Sequence, residues 1–298
     1  MKTPADSMKK DINFLLNKKK QGIPITMVTA YDCPTAHIED AAGIDAVLVG
    51  DSLGTNVLGY GSERDVTMMD MIHHTAAVAR GIRQAFVLAD LPFRSVETNS
   101  EAEKNADLLV RNGAECVKIE GWREMCPVIE YLSKKQFRVC AHIGYNPQIH
   151  GFRPRTFGKT ATEAHDLLES GCRLQDSGAQ LIVVEKITTE VAGMIAEKLR
   201  IPVIGIGSGP LCDGQVLVIN DLLGFSETTF RHVRRFAESY QTALQAVTAY
   251  VEEVEKRRFP AHAHSQDMDP AELKTFRKKA GSIDSKDAKR SHHHSASI

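Results

Sequence analysis

Three acidic side chains, Asp51, Asp90 and Glu120, each stand at the end of a short apolar run in the sequence. If those runs are neighbouring strands, the three carboxylates lie side by side and repel one another unless a cation or a proton lies between them. Oxygen ligands without clustered cysteine or histidine are the ligands that Mg²⁺ prefers. The pattern therefore favours a magnesium site, and helix capping or pairing with a nearby base is the alternative for each acid.

Two more charged side chains are placed to act on a substrate near these acids. Lys118 lies two residues before Glu120, so alternation along a strand points both side chains to the same side. A buried lysine needs an anion, and three alternatives stay open: binding of a substrate carboxylate, Schiff-base formation, or a salt bridge to one of the acids. Glu185 ends the apolar run "LIVVE" and is the candidate general base facing a metal-held substrate.

Eight short apolar runs alternate with helical patterns and must position these side chains. Continuous apolar runs indicate strands buried on both faces, as in a parallel sheet that helices cover. Eight such strands predict an α/β fold, a (β/α)8 TIM barrel rather than a doubly wound sheet, with an N-terminal helical lead at 7–21 and a long C-terminal helix from about 226 to 258. The predicted strands begin at residues 25, 45, 85, 116, 138, 181, 201 and 215.

The carboxyl ends of the strands are expected to form the active site, because barrels of this kind place it there. Polar side chains follow most of the predicted strands, among them the acids above, Ser52 and His142. The barrel domain is predicted to span 1–265. The composition then shifts to charged and small residues, which predicts a disordered C-terminal tail over 266–298.

Composition excludes several classes of function. The 298 residues are 42% hydrophobic and 25% charged, which suits a globular protein of one or two domains. A formal net charge of -1 provides no overall basic field for nucleic acid or an anionic membrane, so we predict neither partner. No apolar stretch is long enough to span a bilayer and the N-terminus lacks the apolar core of a signal peptide, so we predict a cytoplasmic protein.

Several motifs resemble those of the ketopantoate hydroxymethyltransferase (3-methyl-2-oxobutanoate hydroxymethyltransferase) family. The similarity extends from about residue 24 to 265 and includes "VLVGDSLG", "HTAAVARG", "NGAECVKIEG", "PVIGIGSG" and "FPAHAHS" in the same order. The resemblance implies a (β/α)8 barrel that commonly assembles as a homo-oligomer, a decamer. It also implies a one-carbon transferase of pantothenate and coenzyme A synthesis.

The resemblance implies roles for individual residues. The implied Mg²⁺ ligands are Asp51, Asp90 and Glu120. The implied contacts to the 2-oxo acid come from Asp51, Ser52, Asp90 and Lys118. Glu185 is the implied proton acceptor, and His142 matches a position near the substrate.

The implied reaction begins with loss of the C3 proton of 3-methyl-2-oxobutanoate, which Mg²⁺ on the ketone and carboxylate oxygens makes more acidic. The resulting enolate attacks the one-carbon unit of 5,10-methylenetetrahydrofolate, and water completes the transfer to give 2-dehydropantoate. The alternatives are a related Mg²⁺-dependent barrel enzyme that makes or breaks a C–C bond in another 2-oxo acid, and an inactive barrel retained as an interaction protein.

The chain departs from the common family pattern at a few places near the predicted mouth. The segments 62–67 and 151–160 differ, Lys186 stands where a small residue is usual, and Asn220 replaces a frequent histidine. These changes concern the specificity for the 2-oxo acid and the use of the folate. Three cations in the second segment are predicted to lie over the mouth: Arg153, Arg155 and Lys159. They hold the glutamate tail of the folate, hold an additional acidic group on a different 2-oxo acid, or are merely solvated.

Overall fold

A computed structural model describes residues 9–151, 154–226 and 230–281 of the chain. Within them the strands close into a parallel barrel in the order β1 to β8, and β8 pairs with β1. The predicted (β/α)8 barrel is confirmed. The strands are Ile25–Thr29 (β1), Ala46–Val49 (β2), Phe86–Asp90 (β3), Cys116–Glu120 (β4), Val139–Gly144 (β5), Leu181–Glu185 (β6), Val203–Ile206 (β7) and Gly214–Leu217 (β8).

Helices follow most of the strands, and the described ones are numbered along the chain. They are Ile12–Lys20 (α1), Cys33–Ala41 (α2), Leu53–Asn56 (α3), Met68–Gly81 (α4), Asn99–Arg111 (α5), Cys126–Lys134 (α6), Pro147–His150 (α7), Ala161–Asp176 (α8), Thr189–Lys198 (α9), Ile219–Leu223 (α10), Ser239–Glu255 (α11) and Pro270–Ala280 (α12). None of them combines the length and the apolar character that crossing a membrane requires.

Threonine caps begin three of the longer helices. The Thr67 side chain accepts from the Asp70 backbone N–H while the Asp70 side chain accepts from the Thr67 N–H, so α4 starts with a capping box. Thr98 and Thr160 cap α5 and α8 through the backbone N–H groups three residues later. These local signals explain why the helix starts agree closely with the apolar periodicity of the sequence.

Apolar side chains form two layers around the sheet. One cluster fills the barrel interior with residues such as Met27, Phe86 and Leu181, and Ile12 and Leu15 of α1 join it. The other cluster lies between the strands and the surrounding helices. Because the strands are covered on both faces, their nearly continuous apolar sequences are accounted for.

The chain divides into two compact units, Met1–Tyr240 and Gln241–Ile298. The barrel lies in the first unit, and the predicted barrel domain of 1–265 stays a prediction. The predicted long helix is shorter than expected, since α11 spans Ser239–Glu255. The N-terminal lead is α1, which begins after its cap at Asp11.

The segment predicted to be disordered contains a helix, so the prediction for 266–298 does not hold at Pro270–Ala280 (α12). Asp269 caps α12 by accepting from the backbone N–H groups of Ala271 and Glu272. Proline at the first position and basic residues in the last turn favour a helix locally, although none of its residues is buried. The scarcity of apolar residues in this segment indicated disorder, whereas the residues at the two ends of α12 favour a helix. Residues 282–298 lie outside the described residues.

A buried carboxyl group in α2 makes the stability of the barrel depend on pH. Glu39 is 5% exposed, and neither carboxyl oxygen has a hydrogen-bond partner among the described residues. Burial, assisted by the charge of Asp32, raises the pKa of Glu39 from 4.5 to about 8. The folded protein keeps a proton that the unfolded chain releases, so stability falls as the pH rises from 4.5 towards 8.

We therefore expect Glu39→Gln to raise the melting temperature by several degrees at pH 8 and by little at pH 5, because one pKa unit corresponds to about 1.4 kcal/mol. Thermal unfolding followed by circular dichroism at both pH values measures the difference. The exposed Glu197→Gln variant serves as the control. An equal gain for Glu39→Gln at both pH values contradicts the prediction.

Candidate active site

The register of the barrel brings the predicted site residues together at the carboxyl ends of the strands. Asp90 at the end of β3 pairs with Lys118 of β4, and Glu120 at the end of β4 pairs with His142 of β5. Glu185 ends β6 opposite Gly144. The mouth of the barrel therefore holds the acids and the lysine that strand alternation predicted.

Lys118 lies between two of the carboxylates. Its Nζ is 3.0 Å from Asp90 Oδ1 and 3.3 Å from Glu120 Oε1, and all three side chains are buried. Burial opposes the charge on the amine, but the carboxylates of Asp90 and Glu120 outweigh it and raise the pKa of Lys118. Of the alternatives for this lysine, the salt bridge is observed. A protonated amine is not a Schiff-base nucleophile, and its charge is suited to an anionic substrate.

Asp51 completes the group of acids. Its backbone N–H donates to Asp90 Oδ2 at 3.0 Å, and its Oδ2 accepts from Gln148 Nε2 at 2.7 Å. Burial, together with the charges of Glu120 and Asp90, raises the pKa of Asp51 well above its usual value. Burial also raises the pKa of Asp90 despite the opposing effect of Lys118. If all three acids were ionised, they would carry more negative charge than Lys118 balances, and this repulsion adds to burial in raising the pKa values of Asp51 and Asp90.

Glu120 differs from the other two acids because it has more cationic neighbours. Burial opposes its charged form, yet Lys118 and His142 lower its pKa to about 2. Its Oε2 also accepts the backbone N–H of Gln148 at 3.1 Å. Glu120 is therefore the carboxylate of the group that stays ionised most readily.

The donor chemistry of the acids fits a divalent cation, although the group is not arranged as a ready metal cluster. Within residues 9–151, 154–226 and 230–281, no three side chains of His, Cys, Asp or Glu are grouped so that they could hold a metal ion. The ammonium of Lys118 contacts both Asp90 and Glu120, and Gln148 occupies one oxygen of Asp51. The remaining donors are all hard oxygens, and the excess negative charge favours a small dication such as Mg²⁺.

His142 connects the acids to Glu185. Its Nδ1 is 3.0 Å from Glu120 Oε1, and its Nε2 is 3.5 Å from Glu185 Oε2. Burial and Lys118 oppose protonation, but the carboxylates of Glu120 and Glu185 raise the pKa of His142. The side chain of Glu185 is 15% exposed, whereas that of Glu120 is 2% exposed. Glu185 is thus the acid that a substrate entering from solvent reaches most readily.

Ser52 lies beside Asp51 and is held by hydroxyl groups of β1 and the following residues. Its Oγ is 2.9 Å from the Tyr31 hydroxyl, which in turn accepts from Thr29 Oγ1 at 2.9 Å. A Cβ at Gly50 would lie 2.9 Å from Ser52 Oγ, so any larger residue there would displace the Ser52 side chain. The substrate contact of Ser52 stays a prediction.

Gln148 was not predicted from the sequence, although it contacts two of the acids. Besides its bonds to Asp51 and Glu120, its Nε2 donates to the Leu91 carbonyl at 3.1 Å. Pro147 begins α7 directly after β5 and brings Gln148 back over the strand ends. The sequence feature that could have identified Gln148 as a site residue is its position in a polar segment that follows a predicted strand.

The residues that depart from the common family pattern have partners of their own. Arg155 lies over the Phe157 ring at 3.6 Å and its Nη1 is 2.7 Å from Glu163 Oε1, while Lys159 is exposed. Arg153 lies outside the described residues. In the other segment, Arg64 Nε donates to the Gln148 carbonyl at 2.8 Å.

Comparison with known sequences finds one family over most of the chain. The sequence profile described as ketopantoate hydroxymethyltransferase matches residues 9–262. A protein of Roseiflexus sp. (strain RS-1) named 3-methyl-2-oxobutanoate hydroxymethyltransferase is 45% identical over 271 residues, which cover 90% of this chain and 98% of that protein. A protein of the same name from Acetivibrio thermocellus is 45% identical over 259 residues, covering 85% and 92%. The resemblance seen in the motifs is confirmed.

Comparison with solved structures finds more distant barrels. A phosphonopyruvate hydrolase in complex with oxalate and Mg²⁺ aligns with a TM-score of 0.58 over 91% of this chain and 97% of that chain, at 12% identity. A 2,3-dimethylmalate lyase, a member of the PEP mutase/isocitrate lyase superfamily, aligns with a TM-score of 0.53 over 92% and 99%, at 16% identity. At such identities the likeness concerns the fold alone, and it agrees with the closed barrel.

Proposed function

Because the chain belongs to the ketopantoate hydroxymethyltransferase family, we propose that it transfers a hydroxymethyl group from 5,10-methylenetetrahydrofolate to 3-methyl-2-oxobutanoate, giving 2-dehydropantoate. Family membership supports a role in pantothenate biosynthesis. The observation that carries the proposed chemistry is the placement of Glu185 3.5 Å from His142, on the other side of that ring from the buried acids. A partly exposed carboxylate thus lies beside a site that contains Lys118, His142 and several carboxylate oxygens.

The 2-oxo acid would bind with its charged end towards Lys118 and Ser52. Lys118 supplies a fixed positive charge at the end of β4, and Ser52 supplies a hydroxyl held by Tyr31. The C3 carbon of the substrate then comes towards Glu185 on the opposite side of the mouth. This orientation places the proton to be removed beside Glu185, which is more exposed than the three buried acids of the site.

Glu185 would accept the C3 proton as the C3–H bond breaks. His142 steadies the Glu185 carboxylate from one side and is itself held by Glu120. A Mg²⁺ ion held by Asp51, Asp90 and Glu120 would supply Lewis-acid stabilisation of the charge that develops on the substrate oxygens. The C3 carbon would then form the new bond to the one-carbon unit, the bonds from that carbon to the two folate nitrogens would break, and water would provide the hydroxyl group, so that 2-dehydropantoate and tetrahydrofolate are released.

The proposed function is tested by proton NMR of 3-methyl-2-oxobutanoate in D₂O. We expect the wild-type protein to exchange the C3 proton with Mg²⁺ and without folate, and to form 2-dehydropantoate once the folate is added. Exchange without product formation favours a related Mg²⁺-dependent enzyme acting on another 2-oxo acid. Absence of both reactions contradicts the proposal.

Two general properties accompany this proposal. We expect a homo-oligomer, a decamer by family resemblance, and a cytoplasmic location. Light scattering of the purified protein measures the first of these directly.

A further inference from the structure

Lys186 follows the proposed base and has an unusual backbone conformation. Its φ is 49°, in the left-handed region that side chains other than glycine seldom adopt. Its N–H donates to the Ile206 carbonyl at 2.9 Å, and its own carbonyl accepts from the Phe157 N–H at 2.7 Å. The neighbouring strand and loop therefore hold Lys186 in this conformation, and such conformations are often found at functional sites.

The ammonium of Lys186 has aromatic neighbours and, among the described residues, no anionic partner. Its Nζ lies 4.6 Å from the centroid of the Tyr145 ring and 5.3 Å from that of Phe230. Within the part of the chain that the structure describes, it forms neither a hydrogen bond nor an ion pair. Lys118, by contrast, contacts two carboxylates. Lys186 is half-buried, so its charge lacks full hydration, and no residue that the structure describes supplies a counterion.

His232 stands beside Lys186. A Cβ added at Gly207 would lie 3.2 Å from His232 Cγ and 3.4 Å from Lys186 Cγ, so both side chains cover the same glycine. Burial, together with the charge of Lys186, lowers the pKa of His232. Both side chains also line a cavity of about 1450 Å³, so open space lies next to the ammonium, although the three buried acids, Lys118 and Glu185 do not line that cavity.

This cation lies close to the place where the substrate reacts. The Cα atoms of consecutive residues are about 3.8 Å apart, so Lys186 is anchored directly beside Glu185. The charges of both residues act on His232, and the charge of Glu185 also acts on Tyr145, whose ring contacts Lys186. A second anion site at Lys186 would require a 2-oxo acid with its head group at Lys118 and its C3 at Glu185 to extend past Glu185 to the Lys186 ammonium.

We propose that Lys186, with His232 beside it, forms a second carboxylate subsite that admits 2-oxo dicarboxylic acids as acceptors. This inference rests on the proposed function, since that function fixes the orientation of the acceptor. The glutamate carboxylates of a folate are separated from its one-carbon unit by an aminobenzoyl ring. An anion site directly beside the base is therefore better placed for the acceptor than for the folate tail.

The test compares 2-oxoglutarate with 2-oxopentanoate, which has the same chain length and no distal carboxylate. Binding of each acid in the presence of Mg²⁺ is measured by calorimetry, and kcat/KM for C3 deuterium exchange by NMR. We expect Lys186→Met to weaken both quantities for 2-oxoglutarate by about tenfold or more, because charge-assisted hydrogen bonds are the strong ones. The values for 2-oxopentanoate and 3-methyl-2-oxobutanoate are expected to change less than about twofold.

Two variants serve as controls. Lys186→Arg keeps the charge and is expected to retain most of the preference for 2-oxoglutarate. Lys198→Met removes an exposed lysine in the last turn of α9 and is expected to leave the binding and the exchange of both acids unchanged. Unchanged rates for 3-methyl-2-oxobutanoate show that Lys186→Met is folded.

Several results overturn the subsite. If Lys186→Met weakens the binding of 2-oxoglutarate and of 2-oxopentanoate equally, Lys186 does not contact a distal carboxylate. The same conclusion follows if the wild type binds 2-oxoglutarate no more tightly than 2-oxopentanoate. A Lys186→Met effect confined to the KM of a polyglutamylated folate assigns the cation to the folate instead. Lys186-dependent binding of 2-oxoglutarate without exchange of any 2-oxo acid supports the subsite and contradicts the proposed function.

Discussion

Glu185→Gln is expected to slow C3 proton exchange in 3-methyl-2-oxobutanoate by about 10²-fold or more, because an amide cannot accept the proton. The substitution keeps the size of the side chain and a group that can hydrogen-bond to His142. Substrate affinity should therefore change little. Calorimetric binding and NMR exchange, measured on the same preparation with Mg²⁺, separate these two effects.

The exposed Glu190→Gln variant in the first turn of α9 is the matched control and is expected to exchange at the wild-type rate. If Glu185→Gln exchanges at the wild-type rate as well, Glu185 is not the base. A loss of binding equal to the loss of rate would assign Glu185 to substrate binding instead.

Asp90→Asn is expected to weaken Mg²⁺ binding by about 100-fold or more, since even residues that only orient metal ligands contribute 10- to 100-fold. The variant removes one of three buried carboxylate charges while the amide can still accept the backbone N–H of Asp51. Competition between Mg²⁺ and Mn²⁺, followed by electron paramagnetic resonance, measures the affinity without relying on activity. Activity of the wild type is expected to disappear with EDTA and to return with Mg²⁺.

Asp107→Asn is a suitable control, because Asp107 forms only a surface ion pair with Arg111 on α5. If Asp90→Asn binds Mg²⁺ as tightly as the wild type does, Asp90 is not a metal ligand. Full activity in rigorously metal-free protein would contradict the metal role of all three acids.

Much of the barrel was predictable because parallel strands covered on both faces leave continuous apolar runs in the sequence. The predicted starts of the strands fall within a few residues of the observed ones, as at Ile25, Cys116 and Leu181. The ends of those runs located the acids and Glu185, because the strand ends of a barrel meet at one mouth.

Contacts that depend on distant side chains were not predictable in the same way. The alternatives for Lys118 stayed open until its distances to Asp90 and Glu120 were known. Gln148 approaches Asp51 only because α7 turns back over the strand ends, and no periodic pattern reports such a turn. The missed helix α12 depends on its capping residue Asp269 rather than on burial.

The transfer of the one-carbon unit is tested most directly with 5,10-methylenetetrahydrofolate labelled with ¹³C at the methylene carbon. Purified protein is incubated with this folate, 3-methyl-2-oxobutanoate and Mg²⁺, and the products are followed by carbon NMR. We predict that the label appears in the hydroxymethyl group of 2-dehydropantoate for the wild type and not for Glu185→Gln over the same time. Rapid C3 exchange in the wild type with no label in any product of 3-methyl-2-oxobutanoate would contradict the proposed transfer.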